Sequence, residues 1–249
     1  MAAPVERVNP RCTVDARGCV FCGGREFASR PIIGDALAAA WALGETERRW
    51  FDEREGNYCA GCGMTLRMRM LVWTLRQVAP RLAGLDVLHV NQVNKLDAVL
   101  REAASVVATI YRAGLPPGER TGALINEDLQ ALTFADRCFD LAIQSETIEH
   151  VHDYRTALAE LHRVLKPGGW LVYTVPLLHD RRTRRRAVIE DGVTQHLLPP
   201  SWHGCEAEDL VLWEFGADLL QERAAAIHRL DYDDFSRNPT IFAIAEQKR

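Results

Sequence analysis

Nowhere does this sequence run apolar for the roughly 18 residues that a membrane span requires. Its opening, MAAPVERVNPR, also lacks the apolar core of a signal peptide. A cytoplasmic protein without membrane contact is therefore expected. An excess of positive charge is missing too. The formal net charge of -4 and a pI near 6.1 give no global attraction to nucleic acid, so any basic patch must be local. No internal repeat or low-complexity tract interrupts the chain. Cysteine is not scarce, but its count of seven is odd. In a reducing compartment that usage suits metal ligands or buried thiols better than disulfides. What remains, 249 residues with 47% hydrophobic and 26% charged, is enough for one full core plus a small appended module.

Four of the cysteines fall into two CxxC pairs, each followed by glycine: Cys19 and Cys22 in GCVFCGG, Cys59 and Cys62 in NYCAGCG. A CxxC turn lets two thiolates point at one ion while backbone amides approach the sulfurs, and two such turns make a closed tetrahedral zinc site. Closed sites of this kind hold structure rather than perform chemistry, so zinc is expected in a folding role. The intervening GDALAAAWALGETERRWFDEREG reads as helical, with Leu37, Trp41, Trp50 and Phe51 available for a buried face. Cys12, Cys138 and Cys205 read as bystanders. After Cys62, MTLRMRMLVWTLRQVAP reads as a helix stopped by Pro80, with Leu66, Met70, Trp73 and Gln77 along one side, connecting the knuckle to the next domain.

From residue 85 the pattern changes to short apolar runs alternating with helical ones. LDVLHV (85–90), SVVATIY (105–111), GALIN (122–126), FDLAIQS (139–145) and WLVYTVP (170–176) read as strands. NKLDAVLREA, YRTALAELHRVLK and AEDLVLWEFGADLLQERA read as helices, the second ended by Pro167-Gly168-Gly169. AIHRLDY and PTIFAIAEQ close the chain as an antiparallel pair. The implied fold is α/β: a Rossmann-like doubly wound sheet, mostly parallel with an antiparallel C-terminal edge, plus a small N-terminal zinc-binding module. Ligands of such sheets sit at the carboxyl ends of the strands where strand order reverses. The turns after Val90, Tyr111, Asn126 and Ser145 should therefore form one crevice.

The stretch NEDLQALTFADRCFDLAIQSETIEHVHDYRTALAELHRVLKPGGWLVYTVP, residues 126–176, resembles class I S-adenosylmethionine-dependent methyltransferases. It is similar to the subgroup with FDL in the fourth strand, an EH pair, a helix, and RVLKPGG before the fifth. The resemblance implies a zinc-knuckle module with helical insert and connecting helix over residues 1–80, and a methyltransferase-like domain over 81–249. It implies S-adenosylmethionine as cofactor and a small-molecule acceptor methylated on oxygen or nitrogen, with a sugar-containing metabolite as the leading class. Carried over position by position, it assigns Asp128 and Leu129 to the adenine. Ser145 and Glu146 go to the methionine end, and Val90, Asn91 and Gln92 to the first turn. Two departures stand out. The usual GxGxG is absent from the first turn, and the second strand ends in ATIYR rather than an acidic residue for the ribose.

The first departure has a physical answer. Glycines let backbone reach a bulky pyrophosphate, but S-adenosylmethionine carries no phosphate. Its zwitterionic end can be held by side-chain amides, and asparagine, present as Asn91 and Asn94, tolerates left-handed backbone. The second loss removes charge-assisted hydrogen bonds of about 1.5 to 3 kcal/mol each; Tyr111 could supply stacking and a hydroxyl. The departures also leave open a methyltransferase-like binding or scaffold protein without catalysis, or an enzyme reusing the crevice for another reaction. For a general base, histidine has a suitable pKa. His150 stands beside the crevice, and His196 and His203 lie in the Pro-rich TQHLLPPSWHG, where the resembling family builds its acceptor site. His150 reads equally as a packing residue, His203 as a turn former. The five arginines of DRRTRRRAVIEDG read as a solvated loop or as a clamp for an anionic acceptor.

Overall fold

Val87, Leu88, Leu141, Ile143, Leu171 and Val172 are β-branched or aliphatic residues in short runs. Their burial from both sides makes them the centre of an eight-stranded sheet. The computed structural model describes residues 18–91, 94–178, 181–203, 209–223, 227–231 and 242–249, with backbone alone for 94, 203, 227–231 and 242. Across the sheet the strands run in the order Ile227–Asp231, Phe242–Gln247, Leu165–Thr174, Phe139–Ser145, Asp86–His89, Ser105–Ile110, Leu124–Asn126 and Arg120–Thr121. The middle five are parallel. Both edges are antiparallel: the expected C-terminal pair on one side, and a two-residue strand on the other.

Six helices are described: α1 (Asp35–Ala40), α2 (Glu45–Gly56), α3 (Leu66–Val78), α4 (Asp97–Leu100), α5 (Tyr154–Val164) and α6 (Ala217–Glu222). Side chains alternate across a strand, so Ala142 and Leu171 face α5 while Leu141, Ile143 and Val172 face α3. Helix α5 forms where expected. Asp153 caps it by accepting from the amides of Arg155 and Thr156, and Ala157, Leu158 and Leu161 are its buried stripe. Helix α3 is more than the expected connector. From Leu66 through Leu75 nearly every residue is buried, and with Val87, Ala243 and Ala245 it is one outer layer of the sheet core. Its interior Arg69 is satisfied by the Met64 carbonyl at 2.8 Å, Asn57 Oδ1 at 2.6 Å and the face of Phe27.

Three local expectations give way. Pro167-Gly168-Gly169 does not merely end α5. The next strand already begins at Leu165, which pairs with Phe139 across an irregularity in register. The turn residues form that bulge: Gly168 has φ +80°, and a side chain on Gly169 would press on the Asp140 carbonyl. The expected helix 94–103 shrinks to a 3-10 turn and four-residue α4. The expected helix 207–224 is helical only in α6; Asp209–Leu210 and Trp213–Gly216 are strands. A run as apolar as LVLWEF suits either state, and here the neighbours decide. Trp213–Gly216 is inserted between Arg184–Arg185 and Leu177–Leu178, with Gly216 packed too closely on Arg181 for any side chain.

The arginine run is likewise not a solvated loop. Glu214, fully buried, receives Arg184 Nε at 2.7 Å, Arg186 Nη1, and Arg181 Nη1 at 3.6 Å. Arg181 goes on to the Trp41 and Ala42 carbonyls at 2.7 and 2.8 Å and to Glu47, and Arg186 lies over the Trp41 ring and reaches the Ala40 carbonyl. These contacts, with Ile33, Trp41 and Phe51 packed on Leu178 and Val211, seat α1 and α2 on the C-terminal half. Arg185 stacks on Trp213, and Arg182 and Arg184 are the two of the five that remain exposed. A clamp built from the whole run is thereby excluded. Among the described residues no helix is long and apolar enough to cross a membrane.

Candidate functional site

Strand order reverses at Asp86–His89. The next strand in sequence lies to one side of it, and Phe139–Ser145 lies to the other. Registers His89↔Ile143, His89↔Ala108 and Ile110↔Asn126 bring the four expected turns side by side at the carboxyl ends. Val90 is buried and its amide donates to the Ile143 carbonyl at 2.9 Å, which pins the first turn against the end of Phe139–Ser145. Asn91 then takes φ +54°, the left-handed backbone expected of glycine in this place, and its amide approaches Thr109 Oγ1 at 3.4 Å. Gln92 lies outside the described residues, as does the Asn94 side chain.

At the turn after Asn126, the expected adenine side, Asp128 Oδ1 accepts from the Gln130 amide at 2.9 Å and from Gln130 Nε2 at 3.2 Å, an arrangement that fixes the turn, and Leu129 is buried. Asn126 is fully engaged by Arg112, Leu115 and Pro116. Tyr111 is 62% exposed at the end of the second strand, so its ring is open to a ligand.

The turn after Ser145, the expected methionine side, holds what the sequence concealed. Ser145 bonds Thr174 Oγ1 at 2.7 Å and receives Arg67 Nη1 from α3. Glu146, also in left-handed backbone at φ +52°, is gripped by both terminal nitrogens of Arg54 from α2, at 2.7 and 3.2 Å. Arg54 continues to the Val175 carbonyl at 3.0 Å and is almost fully buried. Burial pushes the Glu146 carboxyl up, but the Arg54 and Arg67 guanidiniums outweigh it and hold it at about 2. Neither arginine carries a local motif; each reaches its partner across a long sequence separation, so only the fold reveals them.

One turn on, Glu149 is fully buried, and among the described residues neither of its carboxylate oxygens has a hydrogen-bond partner. Burial and the neighbouring Glu146 charge raise its pKa well above the usual carboxylate value. His150 Nδ1 lies 3.0 Å from the Leu210 carbonyl, which can only accept, so the proton sits on Nδ1 and Nε2 faces Glu149 Oε1 at 3.7 Å. Burial depresses the His150 pKa. Leu210 pairs with Trp202, and His203 with Asp209, in a hairpin that backs His150. His196 lies on a second hairpin, 187–196, exposed, its ring 6.5 Å from that of Trp202. The three candidate histidines thus stand along adjoining segments, although the His203 side chain lies outside the described residues.

Cys19, Cys22, Cys59 and Cys62 converge, all four sulfurs within 4.8 Å of one another. Cys19 to Cys62 is 3.7 Å and Cys22 to Cys59 is 3.6 Å. A tetrahedron with zinc–sulfur bonds of about 2.3 Å has edges of about 3.8 Å, so the donor set matches zinc in both chemistry and spacing. Amides at Gly23 and Gly63 close the two knuckles onto the Cys19 and Cys59 carbonyls at 2.7 Å. A side chain at Gly24 would press on the Cys22 and Cys59 sulfurs. Burial raises the Cys59 thiol, but amides at Cys62 and Gly61 prevail and bring it to about 7. Cys138 is elsewhere, bonded to the Ala135 carbonyl, and Cys12 and Cys205 lie outside the described residues.

Residues 61–173 match the family described as a methyltransferase domain. Among curated proteins, the chain is 46% identical over 43 residues to the uncharacterized protein YafE of Escherichia coli K12, covering 17% of this chain and 21% of that protein. It is 45% identical over 49 residues to a demethylmenaquinone methyltransferase of Staphylococcus epidermidis, covering 20% of each. The chain spans about a fifth of the length of these relatives. A solved S-adenosylmethionine-dependent methyltransferase from Mesorhizobium loti superposes with a TM-score of 0.46 at 17% identity, over 71% of this chain and 97% of that one. From the second knuckle through the fifth strand of the parallel set, then, residues 61–173 are similar to a methyltransferase domain.

Proposed function

We propose that this protein is an S-adenosylmethionine-dependent methyltransferase that methylates an oxygen or nitrogen of a small molecule, and that its four cysteines hold a structural zinc ion. The observation that carries the reading is the coincidence of two things. The methyltransferase-domain match spans residues 61–173, and the four strand ends within it meet at the reversal of strand order, where Asn91 replaces glycine in left-handed backbone. The residues suit the cofactor: Asp128 and Leu129 at the adenine, Tyr111 beside the ribose, Val90, Asn91 and Gln92 with Ser145 and Glu146 at the amino-acid end.

When bound, the sulfonium supplies an electrophilic methyl group, and the chain's own task is then alignment and proton removal. His150 is the best-placed base, because Leu210 fixes its tautomer and burial lowers its pKa. His196, on the adjoining hairpin, would face the acceptor, and His203 is the third candidate for that side. A sugar-containing metabolite remains the acceptor class favoured by the resemblance of residues 126–176, and quinone precursors, the substrates named for matching relatives, are the first comparison to run.

Calorimetric titration with S-adenosylmethionine and S-adenosylhomocysteine tests the reading. Micromolar binding, weakened about tenfold or more by Asp128→Ala, is the expected result; absence of heat at high micromolar ligand would refute it.

A further inference from the structure

The methionine side of the crevice is furnished by residues that belong to the helices preceding the sheet, not to the strands beneath it. We infer that Arg67 and Glu146 form the clamp for the zwitterionic end of the cofactor, the Arg67 guanidinium taking its carboxylate and Glu146 its ammonium. The inference rests on the methyltransferase reading and assigns the subsite that the glycine-free first turn leaves unfurnished.

Position is the first argument. The Val90 amide joins the first turn to the Ile143 carbonyl, and Ser145, two residues on, receives Arg67 Nη1. The guanidinium therefore sits at the strand end adjoining the turn, where the amino-acid end of a bound nucleoside would lie. Unused donors are the second. Arg67 Nε is bonded to both Glu55 oxygens at 2.8 Å and Nη1 to Ser145, while Nη2 has no hydrogen-bond partner among the described residues. The side chain is 18% exposed, so that open edge can meet a ligand without being stripped from another partner. Charge is the third. A zwitterion needs a cation and an anion a few ångströms apart; Arg67 supplies one, and Glu146, held ionised by Arg54, supplies the other. Glycine amides in the first turn become dispensable when a fixed fork of guanidinium donors does their work.

The deciding experiment titrates the full, metal-loaded chain with two ligands, S-adenosylhomocysteine and 5′-methylthioadenosine, which share the nucleoside and thioether but differ in the amino-acid end. In the unmodified protein the first should bind at least about tenfold tighter. In Arg67→Gln that advantage should collapse by about 10- to 100-fold, with methylthioadenosine affinity unchanged within about twofold, and Arg67→Lys should restore part of it. Glu146→Gln should also narrow the gap. Equal affinities for the two ligands in the unmodified protein would overturn the clamp without recourse to any variant. So would an equal loss for both ligands in Arg67→Gln, the mark of a mere strut between α3 and the sheet. If the unmodified protein binds neither ligand, the methyltransferase reading itself falls and takes the clamp with it.

Discussion

Glu146 and Glu149 lie three residues apart on one turn, and their environments drive them in opposite directions. Arg54 and Arg67 keep Glu146 ionised down to about 2, so its contribution to stability is present above the unfolded carboxyl value near 4.5 and is lost as pH falls through about 2. Glu149 runs the other way. Its folded-state pKa is raised, so the folded chain holds a proton that the unfolded chain releases above about 4.5, and stability falls with rising pH by about 1.4 kcal/mol per unit until the folded carboxyl ionises. Glutamine copies the neutral acid without that slope. Glu149→Gln should therefore melt at a higher temperature than the unmodified protein at pH 8, with the gain shrinking towards pH 5. A gain that is constant across this range would show that Glu149 is charged in the folded state.

At the scale of elements, the knuckle and the first turn are in contact. Lys95, just past the turn, donates to the Gly63 carbonyl beside Cys62, and Arg76 of α3 donates to the Val20 carbonyl inside the first CxxC. The cysteine cluster therefore braces both α3 and the turn. Zinc analysis should return one ion per chain. Its removal by a chelator should lower the melting temperature by at least about 5 °C and weaken S-adenosylhomocysteine binding more than a matched loss of stability elsewhere would. Binding that survives chelation unchanged would confine the knuckle to its own folding. This brace was only half legible in the sequence. Paired CxxCG turns announce four thiolates because the spacing is local, and Phe139–Ser145 is legible to the residue because an apolar run bounded by turn signals leaves one solution. Lys95 to Gly63, Arg67 to Ser145 and Arg54 to Glu146 join distant segments, and no period or spacing encodes them. The same limit applies to 207–224, where apolar content was plain but the choice between helix and strand was made by flanking chain.

For the whole molecule, the question is what keeps the cysteine module and its helices seated on the sheet, since the clamp residue Arg67, and Arg54 that grips Glu146, come from that side. Two contacts answer it: the small apolar cluster of Ile33, Trp41, Phe51, Leu178 and Val211, and the convergence of Arg181, Arg184 and Arg186 on Glu214. Buried pairs of this kind gain little over an apolar replacement, yet removing one member strands the others, at a cost of about 3 to 5 kcal/mol. Glu214→Ala leaves three guanidiniums without their shared anion, two of which also hold the carbonyls of Ala40, Trp41 and Ala42. Urea unfolding should register a loss of that order for Glu214→Ala, while the exposed Arg182→Ala stays within about 0.5 kcal/mol of the unmodified protein. Because the module is held by the same arginines, Glu214→Ala should also weaken S-adenosylhomocysteine binding while sparing methylthioadenosine, the pattern expected of Arg67→Gln but reached from the far side of α2. A stability loss that left both affinities intact would mean that the apolar cluster alone positions the module, and that the arginine run serves only the loop in which it lies.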